Sequence, residues 1–124
     1  KKEIANDNGG IVLVGKHVYG FHMKRFWECI DIETGAVAWT SARKGLTAGS
    51  VIAADGRLYV LAEDSGEVAM LSASPEGYKE ISKFKIPELS TLRKDGGKLW
   101  AHPAISDGKL FIRDQELLYC FEIR

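Results

Sequence analysis

The chain has 124 residues, 45% of them hydrophobic, which is the size and apolar content of one globular domain or less. Seventeen basic and seventeen acidic residues cancel with no basic block, which argues against nucleic-acid binding and electrostatic membrane attachment. No apolar run is long enough for a transmembrane helix, and Lys1-Lys2 leads into Glu3, Asn6, Asp7 and Asn8 rather than into the apolar core of a secretory leader.

One phrase, a short turn followed by an apolar–aromatic strand, occurs three times at intervals of roughly forty to fifty residues. The copies are Val14-Gly15-Lys16-His17-Val18-Tyr19, Ala54-Asp55-Gly56-Arg57-Leu58-Tyr59 and Ser106-Asp107-Gly108-Lys109-Leu110-Phe111. Two-residue corners that force positive φ explain the glycines, and the alternation that follows them reads as strand. In chain order the first copy predicts strands Gly10–Val14, His17–Phe21, Trp27–Ile32 and Val37–Ser41, with His22–Phe26 as a loop and Glu33-Thr34-Gly35 as a turn. The second predicts Gly49–Ala54, Arg57–Ala62, Glu67–Ala73 and an outer strand within Tyr78–Ile86. The third predicts Ala101–Ser106, Lys109–Asp114 and Leu118–Ile123, without an outer strand. Residues 90–98 lack an apolar 3.6-residue face and contain Asp95-Gly96-Gly97, so no helix is expected there.

The fold class that follows is all-β: a β-propeller segment of about three antiparallel blades (roughly residues 8–44, 45–99 and 100–124), the last lacking its outer strand, within a larger propeller. The innermost strands align without gaps as Asn8-Gly9-Gly10-Ile11, Ala48-Gly49-Ser50-Val51 and Trp100-Ala101-His102-Pro103. Their second column is Gly, Gly, Ala, as crowding around a central axis requires. Cys29 and Cys120 fall at the same position of the third strand in the first and third blades. Intact blades would hold them beyond the ~7 Å Cα reach of a disulfide, and both are expected to be free, buried thiols.

The segment Cys29-Ile30-Asp31-Ile32-Glu33-Thr34-Gly35-Ala36-Val37-Ala38-Trp39 resembles the repeat signature of the pyrroloquinoline-quinone-like, or quinoprotein-type, propellers. That signature has a strand ending in Asp, a Thr-Gly turn and a strand carrying Trp. The resemblance implies that Trp39 docks between adjacent blades, with Phe84 as its aromatic stand-in in the second blade. Gly9-Gly10-Ile11-Val12-Leu13-Val14-Gly15, Ala73-Ser74-Pro75-Glu76-Gly77 and Asp114-Gln115-Glu116-Leu117-Leu118-Tyr119-Cys120 extend the likeness to polyvinyl-alcohol-dehydrogenase-like and outer-membrane-assembly-factor-like propellers of seven or eight blades. It implies a bacterial, periplasmic or otherwise extracytoplasmic protein. Quinoprotein dehydrogenases hold their cofactor with a vicinal Cys-Cys pair, a stacking Trp and a calcium ion bound by Glu, Asn and Asp. The chain has no Cys-Cys, and none of its acids matches those ligands or the catalytic base. No cofactor is therefore assigned to it, and pyrroloquinoline quinone with calcium enters only if the missing blades carry the site.

In a four-stranded meander the first and third turns share one end, and the second loop and the blade-to-blade connection share the other. The loop end gathers His22–Phe26, Arg43–Thr47, Glu63–Gly66 and Pro87–Lys98, so it is the expected binding rim. Its candidate ligand- or partner-binding residues are Asn8, His22, Lys24, Arg25, Trp100 and His102. His102 either binds a ligand or packs beside Pro103, and Trp100 serves either as blade packing or as a stacking platform. Lys24-Arg25 with Phe26-Trp27 forms a basic–aromatic cluster for an anionic sugar or a peptide, unless Trp27 packs inward beneath a solvated loop. Glu88–Lys98 reads as a partner loop or a mobile connection. Asn6-Asp7-Asn8-Gly9-Gly10 lacks the acid that a calcium loop needs, the histidines are too dispersed for a zinc site, and no Ser-His-Asp arrangement can be built.

Two functions compete. One is a non-catalytic propeller segment that offers a rim to a protein or carbohydrate. The other is the C-terminal part of a quinone-dependent dehydrogenase. The expected neighbours of the chain are the remaining propeller blades or copies of itself.

Overall fold

A computed structural model describes residues 9–23, 26–41, 45–93 and 97–123. The strands are β1 (Ile11–Val14), β2 (His17–His22), β3 (Phe26–Asp31), β4 (Val37–Thr40), β5 (Gly49–Ala54), β6 (Arg57–Ala62), β7 (Glu67–Ser72), β8 (Glu80–Lys85), β9 (Ala104–Ser106), β10 (Lys109–Asp114) and β11 (Leu117–Glu122). They form three antiparallel meanders, β1-β2-β3-β4, β5-β6-β7-β8 and β9-β10-β11. There is no helix among the described residues.

Corner chemistry sets these strands. Asp55 and Gly56 have φ of 52° and 71°, and Asp107 and Gly108 have 51° and 68°, the two positive values of a type I′ hairpin. At the third turn, Asp31 Oδ1 accepts the backbone N–H groups of Glu33 and Thr34, each at 2.9 Å. Gly35 then takes φ 71°, and the N–H of Asp31 donates to the Ala36 carbonyl at 2.9 Å. The Asp and Thr-Gly of the repeat signature thus build a self-capped turn. The third-to-outer-strand register shifts at Cys29/Ile30 in the first sheet and at Met70/Leu71 in the second, the same repeat position. The strand β9 is shorter than expected, because Pro103 has no N–H for a ladder and pairing begins only at Ala104.

Two cores hold the sheets together. Tyr19, Trp27, Cys29 and Trp39 of the first sheet pack with Val51, Leu58, Val60, Ala69 and Leu71 of the second. On the second sheet's other face, Tyr59, Leu61 and Val68 pack with Leu110 and Ile112 of the third. Strand alternation sends one row of each sheet forward and the next row back. Trp39 is 9% exposed and lies between the first two sheets, as the resemblance implies. Phe84 meets Phe121 of the third sheet with ring centroids 4.7 Å apart, so it fills the same role one interface later.

Cys29 is buried and free, as expected, but Cys120 is exposed. The register explains the difference. Tyr19 pairs with Cys29, Tyr59 with Met70 and Phe111 with Cys120, so one forward-facing site recurs in every sheet. The second sheet covers the first of these sites and the third sheet covers the second. On the described chain Phe111 is only partly covered, Cys120 is exposed and neighbouring Leu118 is 69% exposed.

Candidate functional site

The connection between the second and third sheets leaves and returns at one corner. The N–H of Ile86 donates to the Gly66 carbonyl at 3.0 Å, and the N–H of Leu99 donates to the Glu63 carbonyl at 2.8 Å. In between, the N–H of Ser90 donates to Asp114 Oδ2 at 2.8 Å and its hydroxyl to Glu116 Oε2 at 2.6 Å. Arg93 pairs with the buried Asp114, and the Tyr119 hydroxyl donates to the Glu88 carbonyl at 2.8 Å. The corner at residues 63–66, the corner at 115–116 and the connection therefore share one end of the molecule. Between Glu88 and Arg93 the connection is bonded to the third sheet, and Lys98 is paired with the Glu63-Asp64 corner of the second.

The inner strands converge at this end. The N–H of Val51 donates to the Gly9 carbonyl at 3.3 Å, and the Ser50 hydroxyl donates to the Ala101 carbonyl at 3.1 Å. A Cβ on Gly10, which has φ 72°, would stand 3.1 Å from His102 Cε1. The aligned residues Gly10, Ser50 and His102 thus come from three sheets to one place. Crowding is tightest at Gly49, where a Cβ would sit 1.8 Å from the Leu61 carbonyl oxygen.

Beside this convergence lies a polar cluster around an exposed indole. Trp100 is 47% exposed, and its indole N–H donates to Glu63 Oε2 at 2.9 Å. Lys98 Nζ lies 3.0 Å from Asp64 Oδ1 and 3.5 Å from Glu63 Oε1. The hydrogen bond and charge of Asp64, seconded by Glu63, hold the Lys98 ammonium protonated above the usual lysine range. A shallow depression of about 490 Å³ lies at the same end, lined by Ala101, Arg113, Gln115 and Glu116. Gln115 occupies φ 55°, uncommon for a residue with a side chain, and its carbonyl accepts the Arg113 Nε–H at 2.9 Å.

Of the residues singled out from the sequence, Trp100 and His102 stand together at this rim. His22 ends β2 in the first sheet and is buried. Asn8, Lys24 and Arg25 lie outside the described residues, and Trp27 packs inward. Sequence reasoning passed over Glu63, Asp64 and Glu116 as individual groups. The available signal was that the second corner is acidic in two copies, Glu63-Asp64 and Gln115-Glu116. Among the described residues no group of three or more His, Cys, Asp or Glu is placed to hold a metal ion. No helix among them is long and apolar enough to cross a membrane.

No protein-family model matches the sequence, and no curated protein matches it at a significant level. Solved structures do. BamB from Moraxella catarrhalis superposes with a TM-score of 0.65 at 14% identity, over 91% of this chain and 36% of that one. A europium-containing methanol dehydrogenase gives 0.65 at 16% identity, over 92% and 22%. Quinohemoprotein alcohol dehydrogenase from Comamonas testosteroni gives 0.61 at 21% identity, over 90% and 18%. The fold is that of the quinoprotein-type β-propellers. The three sheets are blades, and the chain spans about a third or less of the length of these propeller proteins. Fold is what the two dehydrogenases and BamB share with it, and that likeness is common to proteins of different activity.

Proposed function

We propose that the chain is a non-catalytic propeller segment whose loop-end rim binds a protein or a carbohydrate. The observation that carries this reading is the convergence of three blades at one end. His102, Trp100, Glu63 and Lys98 gather there, whereas the opposite end carries the two-residue corners and a smaller depression of about 350 Å³ on the third turn of the second blade, lined by Ser74, Glu76, Tyr78 and Lys79 among others. The sequence has no adjacent cysteines, so on this reading the segment itself holds no quinone. A larger ring built from further blades, and a periplasmic or other extracytoplasmic location, belong to the same reading.

The alternative is part of a quinone-dependent dehydrogenase, favoured by the two alcohol-oxidising enzymes among the fold neighbours. Pyrroloquinoline quinone and calcium would then be held by blades other than these. Quinone absorbance together with stoichiometric calcium in the purified full-length protein would establish the alternative.

The rim is tested by replacing Trp100 and His102 with alanine in the full-length protein and measuring retention of its partner or ligand. Loss of binding with folding intact is the expected result. Unchanged binding, together with a loss on replacing Arg57 or Lys109 beside the opposite corners, would move the site to the other end.

A further inference from the structure

We propose that the forward face of the third blade seats a further blade of the full-length polypeptide, and that this blade presents a carboxylate to Arg113. This rests on the larger ring in the reading above and names the chemistry of its next interface. One cross-strand pair of forward-facing residues is Phe21 with Trp27 in the first blade and Leu61 with Val68 in the second. Both pairs lie in the core shared with the following blade. The third blade places Arg113 and Leu118 at this position, both exposed. The rest of its forward row keeps the character of the sealed ones. Ala104, Phe111 and Cys120 stand where Val12, Tyr19 and Cys29 meet the second blade. The relation that seats the second blade on the first, and the third on the second, seats another blade here. In the matched propellers the region like this chain is part of one longer polypeptide, 36%, 22% and 18% of the three, so the same polypeptide rather than a second copy supplies that blade.

Arg113 dictates what the covering blade carries. A guanidinium among apolar side chains is costly without acceptors, and a buried arginine is paired. Its Nε–H donates to the Gln115 carbonyl at 2.9 Å, which uses a single N–H of the fork. The acids nearest in sequence have other partners. Asp114 belongs to the buried back row and pairs with Arg93, and Glu116 accepts the Ser90 hydroxyl. Glu122, also on the forward row, stands opposite Lys109 at the far end of the strand pair. The counter-charge therefore comes from the covering blade, and a carboxylate matches the planar fork with two parallel bonds.

Maleimide labelling of Cys120, light scattering and urea denaturation of the full-length protein test this. Cys120 should be protected in a monomer until denaturant is added. Arg113→Met fills the site but leaves the acid unpaired, and at about pH 7 it should lower the folding equilibrium constant by about a hundredfold or more. At about pH 4.5 the orphaned acid takes up a proton, so the deficit relative to wild type at the same pH should shrink to about tenfold or less. A variant that folds only at the acid pH gives the same answer. Labelling of Cys120 at the rate of a free thiol, or protection that appears only in a dimer, overturns the proposal. So does an Arg113→Met deficit that is absent or the same at both pH values. If Cys120 is open while Trp100→Ala and His102→Ala still release the partner of the rim, this inference fails and the rim reading stands.

Discussion

The indole N–H of Trp39 donates to the backbone carbonyl of Ser74 at 2.7 Å, so the outer strand of the first blade is bonded to the third turn of the second. The same indole lies 6.0 Å from the ring of Tyr19 in its own blade and 5.6 Å from Tyr78 in the next. A single side chain thus joins two sheets by packing and by a directional bond. Trp39→Ala should cost about 3–5 kcal/mol in chemical denaturation, the usual range for deleting a buried aromatic. Trp39→Phe keeps ring contacts and loses the bond to Ser74, and about 1 kcal/mol of the loss should remain.

Two glycines with different constraints should respond differently to alanine. At Gly49 the new Cβ would lie 1.8 Å from the Leu61 carbonyl oxygen, within the β5–β6 pairing. Gly49→Ala should therefore cost about 3 kcal/mol, the upper end of overpacking. Gly56 has open space around a Cβ but holds φ 71°, so Gly56→Ala should cost only about 1 kcal/mol of backbone strain. Midpoints of urea denaturation measured on the two variants check the order.

Asp114 and Arg93 tie the inter-blade connection to the third blade, and Asp114 is almost fully buried. Asp114→Ala should cost about 3 kcal/mol, because it leaves a largely buried guanidinium without its acid. Hydrogen exchange should rise first at the Ser90 amide, which loses its acceptor.

The Asp31 turn gives a pH dependence with a definite sign. Backbone hydrogen bonds from Thr34 first, and then Glu33, hold its carboxyl below the usual carboxylate range. The folded pKa is lower than the unfolded one, so the stabilisation is present above about pH 4 and is lost as pH falls toward the folded value. Asp31→Asn should flatten the acid limb of a stability–pH curve in that window while leaving the neutral-to-basic limb unchanged.

Cys29 and Cys120 provide a readout of what covers the third blade. They occupy one repeat position, but Cys29 lies beneath the second blade and Cys120 lies open on the described chain. In a full-length protein with a further blade stacked on Phe111 and Leu118, both thiols should resist a maleimide until denaturant is added. Labelling of Cys120 at the rate of a free thiol would mean that this face stays open to solvent.

Local rules were enough to place the blades. Asp-Gly corners, the Asp31 to Gly35 turn and two-residue alternation act within a few residues, so eleven strands and their meander order could be read from the chain, while the interblade position of Trp39 was implied by the resemblance to the quinoprotein-type repeat. The inner-strand columns also marked Trp100 and His102 as neighbours at the rim. Three-dimensional proximity decided the rest. Glu63 reaches Trp100 across thirty-seven positions and Asp114 holds Ser90 across twenty-four, and no periodicity encodes such pairs. Burial likewise depended on the neighbouring sheet: the same repeat position is buried at Cys29 and exposed at Cys120, because a blade covers one and the described chain supplies none for the other. Sequence pattern determines which face of a strand is apolar, and only the packing of one sheet on the next determines whether that face meets protein or water.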